Sequence, residues 1–258
     1  MKVKFMVSMI ESQPDIYIDE LRKLVFERFG LDISRSTICT MLQREGITRK
    51  KLTRVARERN TMKRIVYQYH IAHYNQNQFV FVDETSKDDR TTFRRYGYAL
   101  HNRRATKRVQ FIRNKRYSVL PALNIDGFLA VSIVQDSFTK LSFEKFIVTQ
   151  VLPSMSPFPF PNSVLVMDNC RIHKNPRILE YAAAAGIRVL YLPPYSPDLM
   201  PIEEAFSVYK AWIRRHGDEI RAYCGHPQTI LLRGIIECLG NGNAKAKGFF
   251  ENCGYHTQ

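Results

Sequence analysis

Residues Val164 to Arg215, VLVMDNCRIHKNPRILEYAAAAGIRVLYLPPYSPDLMPIEEAFSVYKAWIRR, decide how this chain is read. Val164, Leu165, Val166 and Met167 form a short unbroken apolar run, which suits a strand covered on both faces, and Asp168 stands at its carboxyl end. Asn175-Pro176 opens a helix in which Ile178, Leu179, Ala182 and Ala185 recur at helical spacing until Gly186. Ile187 to Leu192 gives a second buried strand. Pro193, Pro194, Pro197 and Pro201 then fix the connection, and Pro201 fits the first turn of a helix, where its missing N–H has no partner to lose. Glu203 and Glu204 follow at once, and Ile202, Ala205, Phe206, Tyr209, Trp212 and Ile213 make the apolar stripe that holds this helix on a sheet. Two acidic positions are thereby carried on rigid elements.

Upstream, the β-rich run Phe79 to Val82 ends in Asp83. Carboxylates from two neighbouring strand ends and one helix suit hard divalent cations, which take oxygen ligands. Two such ions about 4 Å apart can stabilise the attacking and leaving oxygens of a phosphodiester. A single Asp at a strand end is more often a turn or cap residue. Spacing alone leaves both readings open, and periodicity does not choose between Glu203 and Glu204.

The segments FVDET (81–85), VMDNCRIHK (166–174) and LPPYSPDLMPIEEAF (192–206) resemble the three catalytic blocks of the Tc1/mariner and IS630 transposase superfamily. The third block is long and specific. The resemblance implies an α/β fold: an RNase H-like catalytic domain, a mixed sheet flanked by helices, preceded by a small all-α helix-turn-helix domain. It also implies a catalytic and metal-binding triad of Asp83, Asp168 and Glu203, with 34 residues between the last two. Implied with them are two Mg2+ ions, Mn2+ being able to substitute, and cut-and-paste DNA transposition. Water attacks a phosphodiester at the element's end, and the freed 3'-hydroxyl attacks target DNA, typically at TA. The partners so implied are double-stranded DNA, as terminal inverted repeats and as target, and further copies of the chain in a homo-oligomer. Asn169, His173 and Lys174 are expected beside the carboxylates rather than as ligands; for His173 a lone surface histidine is the equal alternative. One departure is Met200, where the family usually has Asn at the N-cap of the Glu203 helix. Methionine accepts none of the backbone donors there, a loss of about 1 kcal/mol.

The 45% hydrophobic content suffices for a packed core, and a net charge of +15 with a pI of about 9.7 favours a polyanionic partner. Five scattered cysteines without a CxxC pair argue against a zinc site or a disulfide framework and fit a reducing compartment. No run approaches the roughly 20 apolar residues of a membrane span, and no signal peptide is evident. The expected location is the nucleus in a eukaryotic host and otherwise the cytoplasm.

Residues 1–48 read as three short helices. Phe5, Met6, Met9 and Ile10 lie on the first; Leu21, Leu24, Val25 and Phe29 on the second, ended by Gly30; Ile38, Met41 and Leu42 on the third, capped by Ser34. Arg35, Ser36, Thr40, Gln43 and Arg44 face outward from the third, able to contact phosphates or base edges, although any small bundle exposes such residues. Arg44 to Arg64 holds nine basic and two acidic residues, and Arg49, Lys50, Lys51 and Arg54 of this run are expected to meet phosphate. Residues 49–76 are read as a basic linker ending in a helix, Ile65 to Tyr74. Residues 77–225 form the catalytic domain, and 226–258 a C-terminal helix and tail in which no chemistry is legible. From Arg90 to Arg116 there are ten basic residues and no acidic one, among them Arg94, Arg95, Arg103, Arg104, Lys107 and Arg108 as DNA contacts. Val119 to Val134 reads as a hairpin turning at Asp126-Gly127, and Leu141 to Leu152 as an amphipathic helix.

Members of the family generally carry paired helix-turn-helix units, and the resemblance implies that the helices of residues 1–48 correspond to the second. A truncated or host-adopted remnant acting only as a DNA-binding protein is therefore the alternative. A nuclease for RNA-DNA hybrids fits the carboxylates but leaves the helix-turn-helix and the third block unexplained.

Overall fold

The computed structural model describes residues 2–52, 56–87, 92–94, 96–107, 116–223, 225–239 and 245–256. Arg54, Arg95 and Arg108 of the expected DNA contacts lie outside the described residues. The chain divides into two compact units, Met1–Ala56 and Arg57–Gln258.

The first unit holds three helices, α1 (Lys2–Ser12), α2 (Ile18–Phe29) and α3 (Arg35–Arg44). Met6, Leu21, Val25, Ile38 and Leu42 close its core. Each boundary has a local cause. Gly30 adopts a left-handed φ of 67° and its N–H returns to the Phe26 carbonyl at 2.7 Å. The Ser34 hydroxyl accepts the Thr37 N–H at 3.1 Å.

The second unit is built on a six-stranded mixed sheet: β1 (Phe79–Val82), β2 (Thr85–Lys87), β3 (Tyr117–Asn124), β4 (Gly127–Gln135), β5 (Val164–Met167) and β6 (Arg188–Tyr191). β5 runs parallel to β1 and to β6, while β3 is antiparallel to β1, β2 and β4. β1 and β2 share one register along β3, with Val82 opposite Ala122 and Thr85 opposite Val119. They are one strand interrupted at Asp83 and Glu84. The shared register sets Pro121 opposite Asp83, and proline brings no N–H to the ladder.

The alternation along β1 and β5 sends side chains to two cores. Phe79, Phe81, Val164 and Val166 meet α4 (Thr61–Ile71), α7 (Pro201–Arg215), α9 (Pro227–Leu239) and α10 (Lys245–Asn252). Val80, Val82, Leu165 and Met167 meet α5 (Lys140–Phe146) and α6 (Pro176–Ala184). The expected α/β class, a mixed sheet flanked by helices after a small helical domain, is what the structure has.

Several elements differ from the sequence expectation. The helix expected from Leu141 to Leu152 is α-helical only to Phe146, then widens into a π turn (Ile147–Val151) and tightens into a 3-10 turn (Leu152–Ser154). α4 begins at Thr61 rather than Ile65, because Asn60 caps it by accepting the Lys63 N–H at 2.9 Å. Its Tyr67 and Ile71 are buried in the sheet core, so this part of the expected linker is built into the second unit. The short α8 (Gly217–Ala222) and α10 were not anticipated. Phe250 and Tyr255, from the tail in which the sequence shows no legible chemistry, are buried beside Phe81, with ring centroids 5.2 and 5.1 Å away. Among the described residues no helix is long and apolar enough to cross a membrane.

Candidate active site

Two parallel neighbours and one helix bring the acidic residues together. Val82 pairs with Met167 across β1 and β5, so Asp83 and Asp168 leave adjacent strands at the same end of the sheet. Glu203 stands in the first turn of α7, whose buried Ile202, Ala205, Phe206 and Tyr209 fix its rotation on the sheet.

Asp83 is the most perturbed of the three. Burial pushes its carboxyl up to about 7, the negative charges of Asp168 and Glu203 push the same way, and the Glu84 N–H and His173 only partly oppose them. The Glu84 N–H donates to Asp83 Oδ1 at 2.8 Å. At Asp168 burial again acts upward, but His173 and the Cys170 N–H, which donates to Oδ1 at 2.9 Å, hold the carboxyl below its usual value. Periodicity did not choose between the glutamates; in the structure Asp83 senses Glu203, whereas Glu204 accepts the Asn252 side-chain N–H at 3.1 Å.

His173 is 2% exposed and lies under the site, which excludes the surface histidine of the sequence alternative. Its Nδ1 lies 2.5 Å from Asp168 Oδ1 and its Nε2 3.8 Å from Glu84 Oε1. These contacts are ionic rather than well-aligned hydrogen bonds, since neither ring nitrogen meets hydrogen-bond geometry. Burial alone would lower its pKa; the two carboxylates outweigh it and raise the ring to about 9, so it is an imidazolium at neutral pH. Phe143 stacks on the ring with centroids 4.3 Å apart, and the Tyr191 hydroxyl donates to the His173 carbonyl at 3.1 Å. Glu84 is the member that sequence reading missed. Its Oε1 is buried without a hydrogen bond, and the only signal was its place next to Asp83.

The other expected contacts are more dispersed. Asn169 and Lys174 are exposed. In the first unit Arg35, Ser36, Thr40, Gln43 and Arg44 are exposed along α3, with Arg35 3.5 Å from Asp19, and Arg49, Lys50 and Lys51 are exposed beyond it. Arg103 and Arg104 are exposed on the loop 96–107, while Lys107 is held by Asp218 at 3.0 Å. Two cations of the basic run are tied up internally. Arg59 and Arg64 pair with Asp198 at 2.9 and 2.7 Å, which anchors the loop before Glu203 to α4.

That loop needs the anchor. Met200 occupies the N-cap of α7 without a side-chain hydrogen bond, as the sequence predicts. The Tyr255 hydroxyl donates to the Leu199 carbonyl at 2.9 Å and lies 2.9 Å from the Tyr67 hydroxyl. A tail residue therefore steadies the entry to the Glu203 helix.

Among the described residues no three acidic, histidine or cysteine side chains stand close enough to hold a metal as they are. The donor set nonetheless fits a hard divalent cation in kind: carboxylate oxygens at one end of a sheet, with Asp83 raised first by burial and further by the charges of Asp168 and Glu203.

Residues 78–221, more than half the chain and inclusive of all three carboxylates, match the model of the DDE superfamily endonucleases. The chain belongs to this family. Its fold is also that of solved Mos1 transposase structures. A Mos1 paired-end complex with the left transposon end superposes with a TM-score of 0.61 at 14% identity, covering 99% of this chain and 80% of that one. A mariner Mos1 paired-end complex with Mg gives 0.61 at 15%, covering 96% and 76%. The Mos1 strand transfer complex gives 0.58 at 13%, covering 99% and 79%. Comparison with curated protein sequences gives no match.

Proposed function

We propose that this DDE endonuclease is a Tc1/mariner-type transposase that cuts DNA at the ends of an element and joins the freed 3' ends to target DNA. The observation that supports the reading is that Asp83 and Asp168 leave adjacent parallel strands at the same end of the sheet, with the charges of Asp168 and Glu203 acting on Asp83, in a chain of the DDE endonuclease family. The three carboxylates would hold two Mg2+ ions, or Mn2+ in their place. Such ions supply Lewis-acid stabilisation to both oxygens of an in-line displacement at phosphorus. His173 offsets part of the negative charge and orients Asp168, and Glu84 orients His173. The exposed cations of α3, of residues 49–51 and of the loop 96–107 meet the phosphate backbone.

The mariner character is supported by the three sequence blocks together with the shared fold, and the terminal repeats, a TA target and a homo-oligomer follow from the same resemblance. Asp168→Asn should abolish Mg2+-dependent nicking of DNA carrying the inverted repeats that flank the gene, while gel-shift binding survives. Cleavage by the variant at the parent rate overturns the site. Salt-sensitive binding by the parent with no cleavage of any duplex in Mg2+ or Mn2+ makes the chain a DNA-binding remnant instead.

A further inference from the structure

Loop residues Arg94 and Tyr96 and α7 residues Arg214 and Arg215 line an open cleft of about 510 Å³. The Arg94 guanidinium donates to the Arg215 carbonyl at 3.0 Å, which ties the loop to the end of α7. Gly217 permits this approach: a Cβ there would lie 2.1 Å from the Thr92 carbonyl oxygen.

Three arginines line this cleft, and among the described residues the acidic groups near the end of α7 are occupied elsewhere. Asp218 pairs with Lys107 and Arg221, and Glu219 and Glu237 both pair with Arg233. Among the described residues no carboxylate pairs with Arg94, Arg214 or Arg215. The α7 dipole favours a cation near its C-terminus, but it does not account for three guanidinium groups around one opening with an exposed tyrosine beside them.

We infer that this cleft is a binding site for a backbone phosphate of DNA, with the Tyr96 ring as an apolar surface against the adjoining sugar or base. The inference rests on the reading of the carboxylate cluster as the place where DNA is cut. Arginine forks match phosphate oxygens in pairs, and an aromatic face takes any base, so the site is indifferent to sequence. Glu203 and Arg214 stand on one helix eleven residues apart. At about 1.5 Å per residue that is roughly 16 Å. Phosphates of one strand advance about 3.4 Å each along the duplex axis, so in a duplex lying along α7 the phosphate in the cleft is about five nucleotides from the one that is attacked.

The test is DNA binding in chelator, read by fluorescence anisotropy on a duplex of arbitrary sequence. Arg214→Gln with Arg215→Gln should lower the slope of log affinity against log salt by about 0.9, the share of one phosphate contact. Lys140→Gln with Lys145→Gln, exposed on α5 across the sheet, removes the same charge and should leave the slope near that of the parent. A parental slope in the folded arginine variant overturns the site, as does an equal fall in the lysine control. If the double variant does not fold, Arg215→Gln alone, which keeps the backbone carbonyl that Arg94 holds, should still lower the slope, by up to about 0.9. On a duplex that the parent nicks, a single methylphosphonate walked along the strand should weaken the parent most about five nucleotides from the nick and leave the arginine variant unmoved; equal sensitivity of the two proteins overturns the placement. Failure of the parent to nick with metal sinks the functional reading while an altered slope keeps the cleft. Intact nicking with an unaltered slope sinks the cleft alone.

Discussion

Asp83 keeps its proton up to about pH 7, whereas in the unfolded chain it titrates at 3.8. Between those values the folded state binds a proton that the unfolded state has lost, so stability from this group falls as pH rises, and the penalty is complete above pH 7. His173 acts in the same direction. Its folded value of about 9 exceeds 6.5, so its contribution is full below 6.5 and lost as pH rises through 9. Metal-free protein should therefore melt at a lower temperature at pH 8.5 than at pH 5.5. Asp83→Asn should remove the Asp83 part of that fall, raising stability at pH 8 by up to about 3 kcal/mol in chelator and changing little at pH 5. An Asn variant no more stable than the parent at pH 8 contradicts this electrostatic account. His173→Ala should act oppositely, costing on the order of 3 kcal/mol, because Asp168 and Glu84 lose the cation between them and Phe143 its stacking partner. Chemical denaturation at pH 7 measures it. The strand-end aspartates were visible in the sequence as the ends of apolar runs. Glu84 and the burial of His173 were not, since both depend on β1 and β5 being neighbours and on Phe143 arriving from another helix.

At the scale of elements, α7 is the piece on which position depends most, and its start is the weakest part of it. Met200 provides no cap, so the order of the PDLMP turn rests on Arg59 and Arg64 at Asp198 and on Tyr255 at Leu199. Tyr255→Phe should cost about 1 to 3 kcal/mol, since the buried Leu199 carbonyl loses its donor. It should also lower the cleavage rate by several-fold with little change in DNA affinity. A variant that melts lower but cleaves at the parent rate would limit Tyr255 to stability. The stripe of α7 was legible because six apolar residues repeat at helical spacing. α10 was not, because its eight residues include Gly248 and its apolar positions gain meaning only when set against Phe81. β2 was equally hidden: Thr85-Ser86-Lys87 shows no strand pattern and is recognisable only through its register with β3.

For the molecule as a whole, the division falls at Ala56 and Arg57, inside the run that reads in sequence as one basic linker. Light trypsin treatment should cut first among the exposed Arg49, Lys50 and Lys51. It should leave a fragment that retains the cooperative melt of the second unit and loses part of the salt dependence of DNA binding; immediate degradation of that fragment would contradict the division. The order of assembly carries a further meaning. Tyr255 reaches back to Leu199, so a polypeptide still being translated has its acidic triad in hand well before the prop beneath Glu203 has emerged. Synthesis must pass Tyr255 before the turn that leads into the Glu203 helix has its full set of hydrogen bonds.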